Sequence, residues 1–207
     1  MGPVQRDEAL VLHALVRALR PQTLIEFGSG AGHSSYNFLR ALDPDARLYS
    51  FDVDLTYAEY ARIRCDHDPR FVFHHRSQDA ITHEDIDGRS ADFVFIDAAH
   101  DLALNQATWK RLLPLLSPRA IVVIHDTGGI PRSQTPPGDW SLAEHARWAD
   151  DEFEHQPGER AFVNWLLERH PEFVQIHLHS RHTQRHGMTL VQRSAPLPRP
   201  PNRSGAA

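Results

Sequence analysis

An apolar stretch that breaks into glycines constrains this chain more than any other feature. Leu24-Ile25-Glu26-Phe27 reads as a short strand, and Gly28-Ser29-Gly30-Ala31-Gly32 reads as the turn that ends it. His33 to Leu42 then reads as a helix, and Leu48-Tyr49-Ser50-Phe51 as a second strand closed by Asp52. Glycines let backbone come close to a ligand, and the start of the following helix offers free N–H groups. An acid about 20 residues beyond the last glycine suits a pair of ribose hydroxyls. The segment therefore predicts a site for a nucleoside-containing ligand.

Spacing and charge narrow the ligand. A dinucleotide motif places its third glycine where this chain has His33. There is no lysine or arginine from Pro21 to Leu39, from Asp92 to Thr108, or from Ile121 to Pro131. The apparent strand ends instead carry Glu26, Asp52, Asp97 and Asp126. An acidic rim without bases repels a pyrophosphate and suits a cationic ligand or a metal. S-adenosyl-L-methionine, with its sulfonium, ammonium, ribose and single carboxylate, meets that description.

The remaining pattern is of strands alternating with helices. Strand-like runs lie at Thr23–Phe27, Arg47–Phe51, Phe71–His75, Asp92–Asp97, Ala120–His125, Phe173–His179 and Met188–Gln192. Helical stretches lie at Asp7–Leu19, His33–Leu42, Tyr57–Cys65, Asn105–Leu116 and Gly158–His170, with a weak one near Ile81–Ile86. This alternation predicts βαβ units and a parallel sheet. The last two strands are joined by Ser180–Gly187, too short for a helical crossover, so they should pair antiparallel. The expected fold is α/β: a Rossmann-like, seven-stranded, mostly parallel sheet flanked by helices, with the last strand antiparallel. Residues 1–193 are expected to form a single domain, with 127–157 covering the active site and 194–207 as a disordered, proline-rich tail.

At this point the chain resembles the class I S-adenosylmethionine-dependent methyltransferases. The resemblance rests on Glu26-x-Gly28-x-Gly30-x-Gly32, Asp52, Gln78-Asp79-Ala80, Ile96-Asp97-Ala98-Ala99-His100 and His125-Asp126-Thr127. It is closest to a subgroup with I-D-G-x-H and H-D strand-end motifs, which includes small-molecule O-methyltransferases of natural-product pathways. Ala98 stands where that subgroup has glycine, and Ser117-Pro118-Arg119-Ala120 replaces its Pro-Gly-Gly turn. The resemblance implies cofactor contacts from Glu26, Gly28, Ser29, Gly30, Gly32, Asp52, Gln78, Asp79 and Asp97, with Asp79 toward the adenine amino group. In metal-dependent relatives the ligands lie at the strand ends, which here are Asp97 and Asp126.

An acceptor hydroxyl must lose its proton, which requires a general base or a metal. Asp97, His100, His125 and Asp126 are the candidates. A divalent cation such as Mg²⁺ on Asp97 and Asp126 is one reading. The absence of a third carboxylate favours the other, a metal-free base at His125 or His100. Trp140, His145, Trp148 and the run Asp150-Asp151-Glu152 are expected to face the acceptor. Metal-free N-methylation, or cofactor binding without turnover, are the alternative functions.

Composition excludes other classes. The net charge of −5 over 207 residues gives no footprint for nucleic acid. No apolar run approaches the ~20 residues of a membrane span. Met1–Glu8 has no apolar leader, and Cys65 stands alone, so the expectation is a cytoplasmic protein without disulfides. The expected partner is a small-molecule acceptor, with a homodimer left open.

Overall fold

The computed structural model describes residues 4–127, 159–179 and 187–194. The strands expected from sequence are present as one seven-stranded sheet. The elements are α1 (Arg6–Leu19), β1 (Thr23–Phe27), α2 (His33–Ala41), β2 (Arg47–Asp52), α3 (Leu55–Arg64) and β3 (Phe71–His75). They continue with β4 (Ala91–Ile96), α4 (Leu102–Leu112), β5 (Leu116–His125), α5 (Glu159–Arg169), β6 (Phe173–His179) and β7 (Gly187–Arg193). The strand order is β3-β2-β1-β4-β5-β7-β6. The first five strands run parallel, and β7 lies antiparallel to both β5 and β6.

β1 is an interior strand between β2 and β4, and all five of its residues are buried. Side chains alternate between the faces of a strand, so each strand feeds two cores. Ile25, Phe27, Val94, Ile96, Val122 and Ile124 pack with Trp109 of α4 and Phe162 of α5. Leu24, Leu48, Phe93, Phe95 and Val123 pack on the opposite face with Leu12 and Val16 of α1 and Phe38 of α2. Helices on both faces explain why the strands read as near-continuous apolar runs.

Local chemistry sets several boundaries away from those expected. The weak helix expected near Ile81–Ile86 is two 3₁₀ turns, Gln78–Ala80 and Glu84–Ile86. α4 starts earlier than Asn105 because Asp101 caps it, accepting from the Leu104 N–H at 2.7 Å. It ends at Leu112, before a 3₁₀ turn containing Pro114. Asp54 caps α3 in the same way, accepting from the Thr56 N–H at 2.8 Å. β5 begins at Leu116, and its register against β4 shifts between Ala91 and Phe93. The expected covering segment, with Trp140, His145, Trp148 and Asp150–Glu152, lies outside the described residues, as does the tail beyond Ser194. Among the described residues no helix is long and apolar enough to cross a membrane.

Candidate active site

The carboxyl ends of β1, β2, β4 and β5 open onto one cavity of about 610 Å³. Parallel strands make such a crevice where the strand order changes direction, between β1 and β4. The glycine loop forms one wall through Gly28, Ser29 and Gly30, and Asp52 and Asp54 stand beside it. Gln78 follows from the turn after β3, and Asp97, Ala98, Ala99 and Asp126 complete the far side.

The loop is held from below. Gly28 has φ +89°, and a Cβ there would come within 2.1 Å of the Asp97 carbonyl oxygen. A glycine is therefore needed for β1 and β4 to approach at their ends. Glu26 does not line the cavity. It is fully buried and accepts from the hydroxyls of Ser34 and Ser35, both at 2.5 Å, and Ser50 at 2.7 Å. Burial pushes its carboxyl up to about 7 against the three serine bonds, and Asp97 adds to the rise. Expected from sequence to touch the ligand, Glu26 instead ties β1, α2 and β2 together beneath the loop. Gly32, the N-cap of α2, faces Ala61 of α3 rather than the cavity.

Asp52 sits at the cavity wall with its carboxylate already oriented. Oδ2 accepts from the Gly30 N–H at 2.9 Å and from the Ser29 hydroxyl at 3.4 Å, and Oδ1 accepts from the Asp54 N–H at 2.9 Å. Lone pairs remain for a ligand, since a carboxylate has about four acceptor sites. Gln78 is buried and donates from Nε2 to Asn105 Oδ1 at 2.8 Å, while its Oε1 has no hydrogen-bond partner. Asp79 is not part of the lining; it accepts from the Ser77 hydroxyl at 2.5 Å. Arg76, unforeseen from sequence, also lines the cavity, but its guanidinium is paired with Asp85 at 2.7 Å. Among the described residues the lining thus holds four aspartates, Asp52, Asp54, Asp97 and Asp126, and one guanidinium that is already paired.

At the other end, three expected residues meet. Ligand atoms of Asp97, His125 and Asp126 lie within 4.8 Å of one another. His125 Nδ1 is 3.1 Å from Asp97 Oδ1 and 3.4 Å from Asp126 Oδ1. Asp126 adopts φ +54°, a left-handed conformation that aspartate tolerates better than most residues. His125 is 1% exposed and lies behind the cavity wall rather than in it. Burial alone would lower its pKa, but the charges of Asp97 and Asp126 and the bonds to Asp97 and Glu8 hold it well above the ordinary value. Both ring nitrogens face carboxylates, Nε2 at 3.0 Å from Glu8 and Nδ1 at 3.1 Å from Asp97, so the imidazole is held by ion pairs on either side.

His100 also lies beside the wall. Its Nδ1 is 2.6 Å from Glu159 Oε1 at the start of α5, and its Nε2 is 3.8 Å from Asp126 Oδ2. Glu159 is buried, which raises its pKa despite the opposing effect of His100. Sequence reasoning missed Glu159 and Glu8. Glu8 had a usable signal: it shares the buried face of α1 with Leu12 and Val16. Glu159, in a first helical turn, reads as an ordinary surface acid.

The sequence pattern of a family described as a methyltransferase domain matches residues 25–127. Over that segment, just under half of its length, the chain resembles this family. The matched residues run from β1 to the residue after Asp126, so they contain every strand end that builds the cavity. Among curated proteins, the chain is 30% identical over 126 residues to the uncharacterised protein y4gI of Sinorhizobium fredii. That match covers 55% of this chain and 14% of y4gI, so the chain spans a small part of that relative's length. Solved structures with the same fold include the O-methyltransferase TomG of Streptomyces achromogenes, involved in tomaymycin synthesis and seen in complex with S-adenosylmethionine. It has a TM-score of 0.70 and 24% identity, covering 93% of this chain and 82% of that one. An O-methyltransferase of Bacillus cereus, in complex with S-adenosylhomocysteine, has a TM-score of 0.69 and 19% identity, with 93% and 83% covered.

Proposed function

We propose that this methyltransferase transfers a methyl group from S-adenosylmethionine to a hydroxyl oxygen of a small molecule. The observation that carries the reading is the cavity itself, with the glycine loop and Asp52 at one end and Asp97 and Asp126 at the other. The residues fit the cofactor. Asp52 offers acceptors to a ribose, Gln78 Oε1 offers a buried acceptor without a partner, and the acidic rim suits a sulfonium and an ammonium. The cofactor supplies an electrophilic methyl group. The protein supplies orientation and the exclusion of water, which account for much of such a barrier reduction.

The residues also fit a divalent cation. Three carboxylates, from Glu8, Asp97 and Asp126, converge on His125, leaving negative charge that a dication would balance. Such an ion would lower the pKa of a bound acceptor hydroxyl. We assign the base to His100, which Glu159 holds through Nδ1 at 2.6 Å and whose Nε2 lies 3.8 Å from Asp126 Oδ2. We read residues 1–193 as one catalytic unit, and an acceptor from a natural-product pathway agrees with the fold shared with TomG.

Incubation with methyl-labelled S-adenosylmethionine and a panel of phenols, catechols and sugar hydroxyls tests the reading. Label is expected on oxygen, with turnover lost in EDTA and restored by Mn²⁺ or Mg²⁺. Label on nitrogen alone would replace the oxygen reading. Full turnover of metal-free protein in EDTA would leave His100 as the base and remove the metal.

A further inference from the structure

Glu8 is an acid in an unusual place. It is 3% exposed, on the face of α1 that packs against the sheet. Its Oε2 accepts from the Gln5 backbone N–H at 3.0 Å and lies 3.0 Å from His125 Nε2. Its Oε1 is buried without a hydrogen-bond partner. Capping a helix requires the first of these contacts and no burial. Taking a carboxylate out of water is costly unless it meets a partner, so the histidine contact is what makes the position tenable. The opposite ring nitrogen, Nδ1, is the one that faces Asp97 and Asp126.

We propose that Glu8 is a positioning residue for a divalent-metal centre. By accepting from His125 Nε2–H it fixes the tautomer whose bare Nδ1 joins Asp97 and Asp126 as a ligand. A metal-bound histidine is regularly oriented in this way by a carboxylate on its other nitrogen. Two carboxylates and an imidazole suit Mn²⁺, Fe²⁺, Co²⁺ or Zn²⁺ better than Mg²⁺. The inference rests on the metal reading above. It adds the N-terminal helix to the site and narrows the class of ion.

The test uses the full chain. Co²⁺ is titrated into metal-free protein and followed by its visible absorption, and S-adenosylhomocysteine binding is measured by calorimetry on the same samples. The wild type is expected to bind Co²⁺ more tightly than Mg²⁺. Glu8→Ala should weaken Co²⁺ on the order of 10–100-fold and leave S-adenosylhomocysteine affinity unchanged. Glu8→Gln retains an oxygen acceptor for Nε2–H and should recover most of the loss. Should Glu8→Ala not fold, Glu8→Leu, which fills the apolar space without an acceptor, carries the same expectation. Wild-type Co²⁺ affinity in a folded Glu8→Ala or Glu8→Leu protein, with only its melting temperature lowered, would make Glu8 a helix cap and overturn the proposal. A wild type that binds no Co²⁺ would overturn it too, while labelled methyl transfer in EDTA would show the methyltransferase reading still standing.

Discussion

The backbone N–H of Gly30 donates to Asp52 Oδ2 at 2.9 Å, tying the loop after β1 to the end of β2. The same carboxylate orders Ser29 and the turn at Asp54, so one side chain shapes the wall where a ribose would sit. Asp52→Ala should therefore weaken S-adenosylhomocysteine on the order of tenfold or more, from lost charge-assisted bonds. Calorimetry measures this, with circular dichroism showing that the sheet persists. An unchanged dissociation constant would move the ribose to another acid, Asp54 being the nearest in the lining.

Substitutions in the glycine loop should separate packing from cavity shape. A Cβ at Gly28 would lie 2.1 Å from backbone that cannot yield without moving β4. Gly28→Ala should cost on the order of 3 kcal/mol or more, as over-packed sites do. Gly30 has φ +45°, but a Cβ added to it would meet nothing within 4 Å. Gly30→Ala should cost about 1–2 kcal/mol, the left-handed penalty alone. Urea unfolding of both variants checks the order; equal losses would contradict it.

Glu26 should make stability fall as pH rises. Its folded pKa of about 7 lies above the ordinary value of 4.5, so the folded chain holds the proton more tightly. Below pH 4.5 the group is neutral in both states and costs nothing. As pH rises through 7 the folded chain must carry a buried charge, a loss on the order of 3 kcal/mol at about 1.4 kcal/mol per unit. Glu26→Gln removes this dependence, so its stability relative to wild type should increase between pH 4.5 and 7. Chemical denaturation at pH 5 and pH 8 measures the change; a constant difference would count against it.

Cys65 should be inert in the native protein. It is 3% exposed, and burial pushes its thiol up to about 12, with Glu26 and Asp68 adding to the rise. A thiol reagent at pH 8 should modify it only after denaturant is added, since the thiolate is the reactive form. Rapid modification of the folded chain would show that the end of α3 opens.

Much of this protein follows from sequence alone, because its signals are local. Apolar runs such as Leu24–Phe27 and Phe93–Ile96 mark strands covered on both faces, and Gly28 marks a turn that other residues would obstruct. The short link between β6 and β7 requires them to be antiparallel, whatever the rest of the chain does. What the tertiary structure decided is which side chains meet. Glu26 looked like a ligand contact, but three serines drawn from α2 and β2 surround it below the loop. Glu8 and His125 are 117 residues apart, and His100 and Glu159 are 59 apart. No periodicity or motif links such pairs. They meet because α1 and α5 dock by their apolar faces, Leu12 with Val16 and Phe162 with Leu166, and that docking carries each buried acid to a histidine at the carboxyl ends of the interior strands β4 and β5.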